Sequence, residues 1–210
     1  TIAICNDKEK LTVKIAHNEN EYDSLKYEVY SLDGTEQLYE DSIDKIENKM
    51  TLDFKGVLKK DREAVLKLTL NKGETSLYYY TRIIKDNEYH VKECLDYVQE
   101  LHTNMLKKEN EDAVKKVMEA NASGDNSTLQ HVTIHSDLKH SMWGELKPKI
   151  VGDLHYEIKE TKTAYTSVLL NYQVQCAGDN NKEELFNVKE FFKVSYGKER
   201  IYLLEYDRTM

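Results

Sequence analysis

The sequence predicts two domains: an all-β antiparallel sandwich over residues 1–86, and an α+β domain over 87–210 in which helices pack on a curved antiparallel sheet. Three observations carry this. Before residue 87, apolar side chains recur at every second position in short runs separated by turn residues. Between Glu88 and Glu119 the spacing changes to three and four, as an amphipathic helix requires. After Gly152 long alternating runs return and supply the surface those helices need.

In the first domain Ile2 and Ile4 alternate, Asn6-Asp7-Lys8-Glu9-Lys10 turns the chain, and Leu11-Thr12-Val13-Lys14-Ile15 alternates again, which predicts a half-buried strand pair. Leu25, Tyr27, Val29 and Ser31 form the next face, closed by Ser31-Leu32-Asp33-Gly34. The run from Asp41 to Glu47 reads as a loop or one helical turn. Met50, Leu52 and Phe54 share a face, as do Ala64, Leu66, Leu68 and Leu70. Asn71-Lys72-Gly73-Glu74 then leads into Leu77, Tyr79, Thr81 and Ile83. At the level of fold this arrangement resembles an immunoglobulin-like or fibronectin-like module, without a Cys…Trp…Cys signature or an Arg-Gly-Asp peptide. Tyr78-Tyr79-Tyr80-Thr81-Arg82-Ile83 stands out. Alternation puts Tyr78, Tyr80 and Arg82 on one side, where they can stack on a sugar or peptide and pair with an anion, or dock the second domain. The junction Tyr80 to Asn87 lacks the Gly, Ser or Pro of a flexible tether. It predicts an ordered contact, with Ile83 or Ile84 buried near the first helix and Arg82 bonded across it.

In the second domain Val91, Leu95, Val98, Leu101 and Met105, with Cys94 beside them, make one helical stripe; Ala113, Val114, Val117 and Met118 make a second. Leu129 to Ile134 reads as a short strand. Leu138, Met142 and Trp143 follow at helical spacing, with Ser136 or Asp137 as cap, and Pro148 ends the element. Four strands complete the chain: Leu154-Tyr156-Ile158; Val168 to Cys176; Val188-Phe192-Val194-Tyr196; and either Ile201-Leu203 or Tyr202-Leu204-Tyr206. Gly178-Asp179-Asn180-Asn181 and Gly197-Lys198-Glu199 are turn material. Helix, helix, strand, short helix and four strands resemble the cone-shaped nuclear transport factor 2-like superfamily. That resemblance implies a curved sheet wrapped on the helices, in a superfamily that includes isomerases, dehydratases, transport factors and catalytically silent domains.

Candidate sites follow from side-chain chemistry. His131, His135, Asp137 and His140 gather within ten residues; a metal triad is conceivable, yet the spacing matches no zinc signature and Asp137 suits a helix cap. The resemblance to cone-fold isomerases implies a carboxylate facing a tyrosine inside a cavity. Asp96 and Tyr97, with Tyr156 or Tyr172 on the sheet, are the residues to test, although Asp96 lies on the polar side of its helix. Trp143 is either a stacking residue or core. No catalytic residue, metal site or cofactor is assigned, and neither a glycine-rich phosphate loop nor a nucleophile elbow occurs. Asn121-Ala122-Ser123 and Asn126-Ser127-Thr128 match the glycosylation acceptor pattern.

Composition bounds the rest. In 210 residues, 40% hydrophobic, no apolar run approaches the roughly 18 residues that span a bilayer. The net charge of −8, spread over both domains, lacks the basic footprint of a nucleic-acid binder. Fifteen tyrosines against four phenylalanines favour strands and half-wet surfaces. Cys5, Cys94 and Cys176 are odd in number and far apart, so they read as core thiols, with one disulfide left open. The chain starts Thr1-Ile2-Ala3 without Met and already strand-like, which suggests a piece of a longer protein. These readings predict a non-enzymatic binding or spacer region of a larger cell-envelope or secreted protein, lying outside the cytoplasm or at the cell surface. Its partner would be a protein, a peptide or a cell-wall glycan, and any membrane association would come through a segment outside this sequence. The alternative is a small-molecule enzyme of isomerase or dehydratase type using a cavity in the C-terminal domain.

Overall fold

Period-two alternation before residue 86 produces seven strands in the computed structural model: β1 (Ile2–Cys5), β2 (Lys10–Lys14), β3 (Ser24–Ser31), β4 (Gln37–Ile43), β5 (Lys49–Asp53), β6 (Glu63–Lys72) and β7 (Thr75–Lys85). The structure describes residues 1–15, 22–60, 62–85, 89–177 and 182–210; the turn read at 178–181 and the junction residues Asp86 and Asn87 lie outside them. The chain is mostly β and forms two compact units, Thr1–Glu88 and Tyr89–Met210.

In the first unit β4-β3-β6-β7-β1 are neighbours in one sheet and β2-β5 form a second. Between them lies a core that includes Leu25, Tyr27, Val29, Met50, Leu52, Phe54, Leu66 and Ile83. Three features differ from the sequence reading. β1 does not pair with β2. It runs parallel to β7, Ile2 opposite Arg82 and Cys5 opposite Lys85, whereas β2 pairs antiparallel with β5. The cause is the intervening turn. Asn6 Oδ1 accepts from the backbone N–H of Lys8 at 3.0 Å and of Lys10 at 2.9 Å, and Glu9 takes a left-handed φ of 57°, which carries the chain from one sheet to the other. Secondly, residues 41–43 belong to β4, an edge strand that pairs with β3 on one side and keeps polar side chains, so its alternation is faint. Thirdly, Leu77 and Tyr79 are 41% and 53% exposed while Ile83 is core. β7 is 11 residues long and outruns the 5-residue strands β2 and β5 opposite it.

The second unit contains α1 (Val91–Lys107), α2 (Glu111–Val117), β8 (His131–Thr133), α3 (Leu138–Ser141), β9 (Lys149–Lys162), β10 (Tyr165–Ala177), β11 (Glu183–Tyr196) and β12 (Ile201–Thr209). The strands run β9-β10-β11-β12-β8, each antiparallel to its neighbour. Register shifts at Ser167/Val168, Asn171/Gln173 and Lys193/Val194 insert bulges, which bend the strands. The apolar stripe of α1, with Val91, Cys94, Val98, Leu101 and Met105 buried, lies in one core with Val168, Leu170, Val174, Phe192 and Val194 of the sheet. α3 is only four residues long. Trp143 lies beyond its end at φ 66°, followed by Gly144 at 52°, so left-handed backbone rather than helical spacing turns the indole inward.

Candidate functional site

On β7 the side chains of Tyr78, Tyr80 and Arg82 share a face with Lys67 and Val65 of β6, set by the register Thr69↔Tyr78, Lys67↔Tyr80 and Val65↔Arg82. Tyr78 and Tyr80 are 57% and 66% exposed, and Lys67 Nζ lies 5.6 Å from the Tyr78 ring centroid. Lys67 also pairs with Glu28 at 2.9 Å, beside Lys26 at 3.3 Å and the Tyr30 hydroxyl, which donates at 2.9 Å. Burial pushes the Glu28 carboxyl up, but Lys67, Tyr30 and Lys26 outweigh it and hold the group below its ordinary value. Arg82 pairs with Glu63 on β6 at 2.8 Å, inside the first unit. The face therefore presents two tyrosines beside cations already matched by carboxylates.

The histidines separate. His131 Nε2 meets Asp207 Oδ2 at 2.6 Å on the exposed edge formed by β8 and β12. His135 Nδ1 contacts the Asn121 amide nitrogen at 2.8 Å and the Glu119 carbonyl at 3.2 Å. His140 Nδ1 meets Asp137 Oδ1 at 2.8 Å, and the same oxygen caps α3 by accepting from the His140 backbone N–H at 2.8 Å. Because β8 stops at Thr133 and a turn follows, strand alternation never brings His131 and His135 to one face. Among the described residues no three His, Cys, Asp or Glu side chains are grouped to hold a metal. In the loop between α2 and β8, Asn121 spends its amide on the Glu119 carbonyl and His135, and Asn126 Oδ1 accepts from the Asp137 N–H.

Asp96 is exposed and paired with Lys92. Asp96 and Tyr97 both line a surface cleft of about 570 Å³ with Glu100, Leu101, Val117 and Arg200. Trp143 is core, 0% exposed, with the Arg208 guanidinium 4.0 Å from its ring centre. Tyr172 is buried, and Tyr156 sits edge-on to His102 at 6.4 Å.

That histidine opens a site missed by the sequence reading. His102 Nδ1 donates to Glu190 Oε2 at 2.6 Å, and the Tyr206 hydroxyl donates to Glu190 Oε1 at 2.8 Å. His102 is 2% exposed, Glu190 0%, Tyr206 1% and Arg208 0%. Burial pushes the Glu190 carboxyl up; the bond and charge of His102, the charge of Arg208 and the Tyr206 hydroxyl together outweigh it and hold the group low. Burial, then the charge of Glu190, pushes the Tyr172 phenol far up. His102 Nε2, Tyr172 Oη, Trp143 Nε1 and Arg208 Nε find no hydrogen-bond partner among the described residues. Two signals for this cluster were present. Val98, His102 and Met105 continue the helical stripe, and Glu190 lies in phase with Val188 and Phe192. All three cysteines are reduced and buried. Compared with known proteins, the chain matches no protein-family model and none of the curated sequences.

Proposed function

We propose that the chain is a non-enzymatic binding or spacer region of a larger cell-envelope or secreted protein, with a β-sandwich module of immunoglobulin or fibronectin type followed by a cone-like domain of nuclear transport factor 2 type. The strand order supports the first assignment: β4-β3-β6-β7-β1 over β2-β5 is the order of a seven-stranded sandwich whose first strand joins the sheet of the last. The bulged antiparallel sheet that shares a core with α1 supports the second.

One observation carries the non-enzymatic reading. The only carboxylate–histidine–tyrosine cluster found inside the second unit's described core is 0–2% exposed at Glu190, Tyr206 and His102, so a dissolved substrate has no contact with it. Exposed aromatic surface lies instead on the Tyr78 and Tyr80 face, which suits stacking on a cell-wall sugar or a peptide. Cosedimentation of the purified chain with isolated cell-wall glycan tests the binding role. Retention that falls at least about tenfold in Tyr78→Ala/Tyr80→Ala is expected for two lost stacking contacts. Equal retention of parent and variant overturns the assignment of that face. Surface proteolysis of intact cells tests location: protection until lysis removes the envelope reading.

A further inference from the structure

A second cleft, of about 610 Å³, lies beside α3 and is lined by both polar and apolar side chains. Leu129, Leu146 and Phe186 belong to the apolar lining; Ser127, Gln130, His140 and Glu184 belong to the polar lining. His140 is held in place from two sides. Its Nδ1 meets Asp137 Oδ1 at 2.8 Å, and its backbone carbonyl accepts from Arg208 Nη2 at 2.8 Å, while Arg208 Nη1 donates to the Ser141 carbonyl at 3.1 Å. Arg208 is itself fully buried against Trp143. A carboxylate on Nδ1 fixes the tautomer with the proton there and leaves Nε2 as an acceptor. Asp137 stays ionised: burial pushes its carboxyl up, but the hydrogen bonds from the His140 backbone N–H and ring outweigh this and hold it low. Glu184 adds a second acceptor. No lysine or arginine is among the described residues that line the cleft.

We propose that this cleft binds a small amine with an apolar body, its N–H donors shared between His140 Nε2 and the Glu184 carboxylate and its carbon skeleton laid on Leu129, Leu146 and Phe186. The chemistry selects against anions, because both polar groups accept hydrogen bonds and the carboxylates at the cleft, Glu184 and the Asp137 that holds His140, are negative. It is a second site, separate from the tyrosine face of the first unit.

Benzylamine titrated into ¹⁵N-labelled protein, with benzoate and benzyl alcohol as controls, tests it. Saturable shifts at Leu129, Leu146 and Phe186 are expected for benzylamine, with affinity lowered at least about fivefold in His140→Gln and in Glu184→Gln. Because His140→Gln also disturbs the contact to Asp137, Glu184→Gln at an exposed strand position keeps the test decisive. Absence of saturation, an equal response to benzoate, or an unchanged affinity in Glu184→Gln overturns the assignment.

Discussion

Glu190 sits on the inward side of β11 between Val188 and Phe192, where its neighbours in strand phase are apolar. A charge there is tolerated because His102, 88 residues away in sequence, and Tyr206 saturate its oxygens. Removing one member strands the other, so His102→Leu should cost about 3–5 kcal/mol. His102→Leu/Glu190→Leu should cost less than the sum of the two single changes, with a coupling of at least about 1 kcal/mol. Urea unfolding followed by Trp143, the chain's only tryptophan and buried in the same core, measures both; strict additivity would count against the pair. The pair also sets a pH dependence. The folded carboxyl lies below its ordinary value of 4.5, so as pH falls the unfolded chain takes up this proton first. Its stabilisation is complete above about 4.5 and disappears as pH drops through the lower folded value. Glu190→Gln should flatten the loss of urea midpoint in that window. A variant that loses stability as steeply as the parent would show that other carboxylates dominate. The sequence contained half of this: an acid in the inward phase is visible in one strand, but nothing in spacing joins it to a helix so far away.

At the scale of elements, strand phase was readable until the backbone slipped. In β12 Leu203 points inward with the phase of Ile201, then the register shift opposite Lys193/Val194 sets Leu204 aside and turns Tyr206 and Arg208 inward instead. Neither alternation written for this strand holds along its whole length, since a bulge changes parity without changing composition. Loops carry similar hidden constraints. Between α2 and β8, a Cβ on Gly124 would lie 2.2 Å from the His135 carbonyl oxygen, which already accepts the Asn121 N–H at 3.1 Å. Gly124→Ala should therefore cost about 1–3 kcal/mol, read as a lowered thermal midpoint with shifted His135 and Asn121 resonances. A neutral substitution would mean that the loop moves aside without loss.

For the molecule as a whole, the two apolar periods marked where strands alone give way to strands with helices. The first unit was legible as a set of strands but not as a sheet order, because Ile2 and Ile4 have the same pattern whichever strand they join. Their place beside β7 has a mechanical consequence. Parallel strands whose free ends are drawn in opposite directions slide along one another, so tension applied at Thr1 and Lys85 loads the bonds between Ile2–Cys5 and Arg82–Lys85 together, in shear. Tension at Glu63 and Lys85 instead opens the antiparallel β6–β7 pair from one end, bond after bond. Optical-tweezer pulling through the first pair of attachment points should need the larger force. Equal forces from the two geometries would mean that the parallel seam bears no load, and that a chain stretched between two bodies would yield elsewhere first.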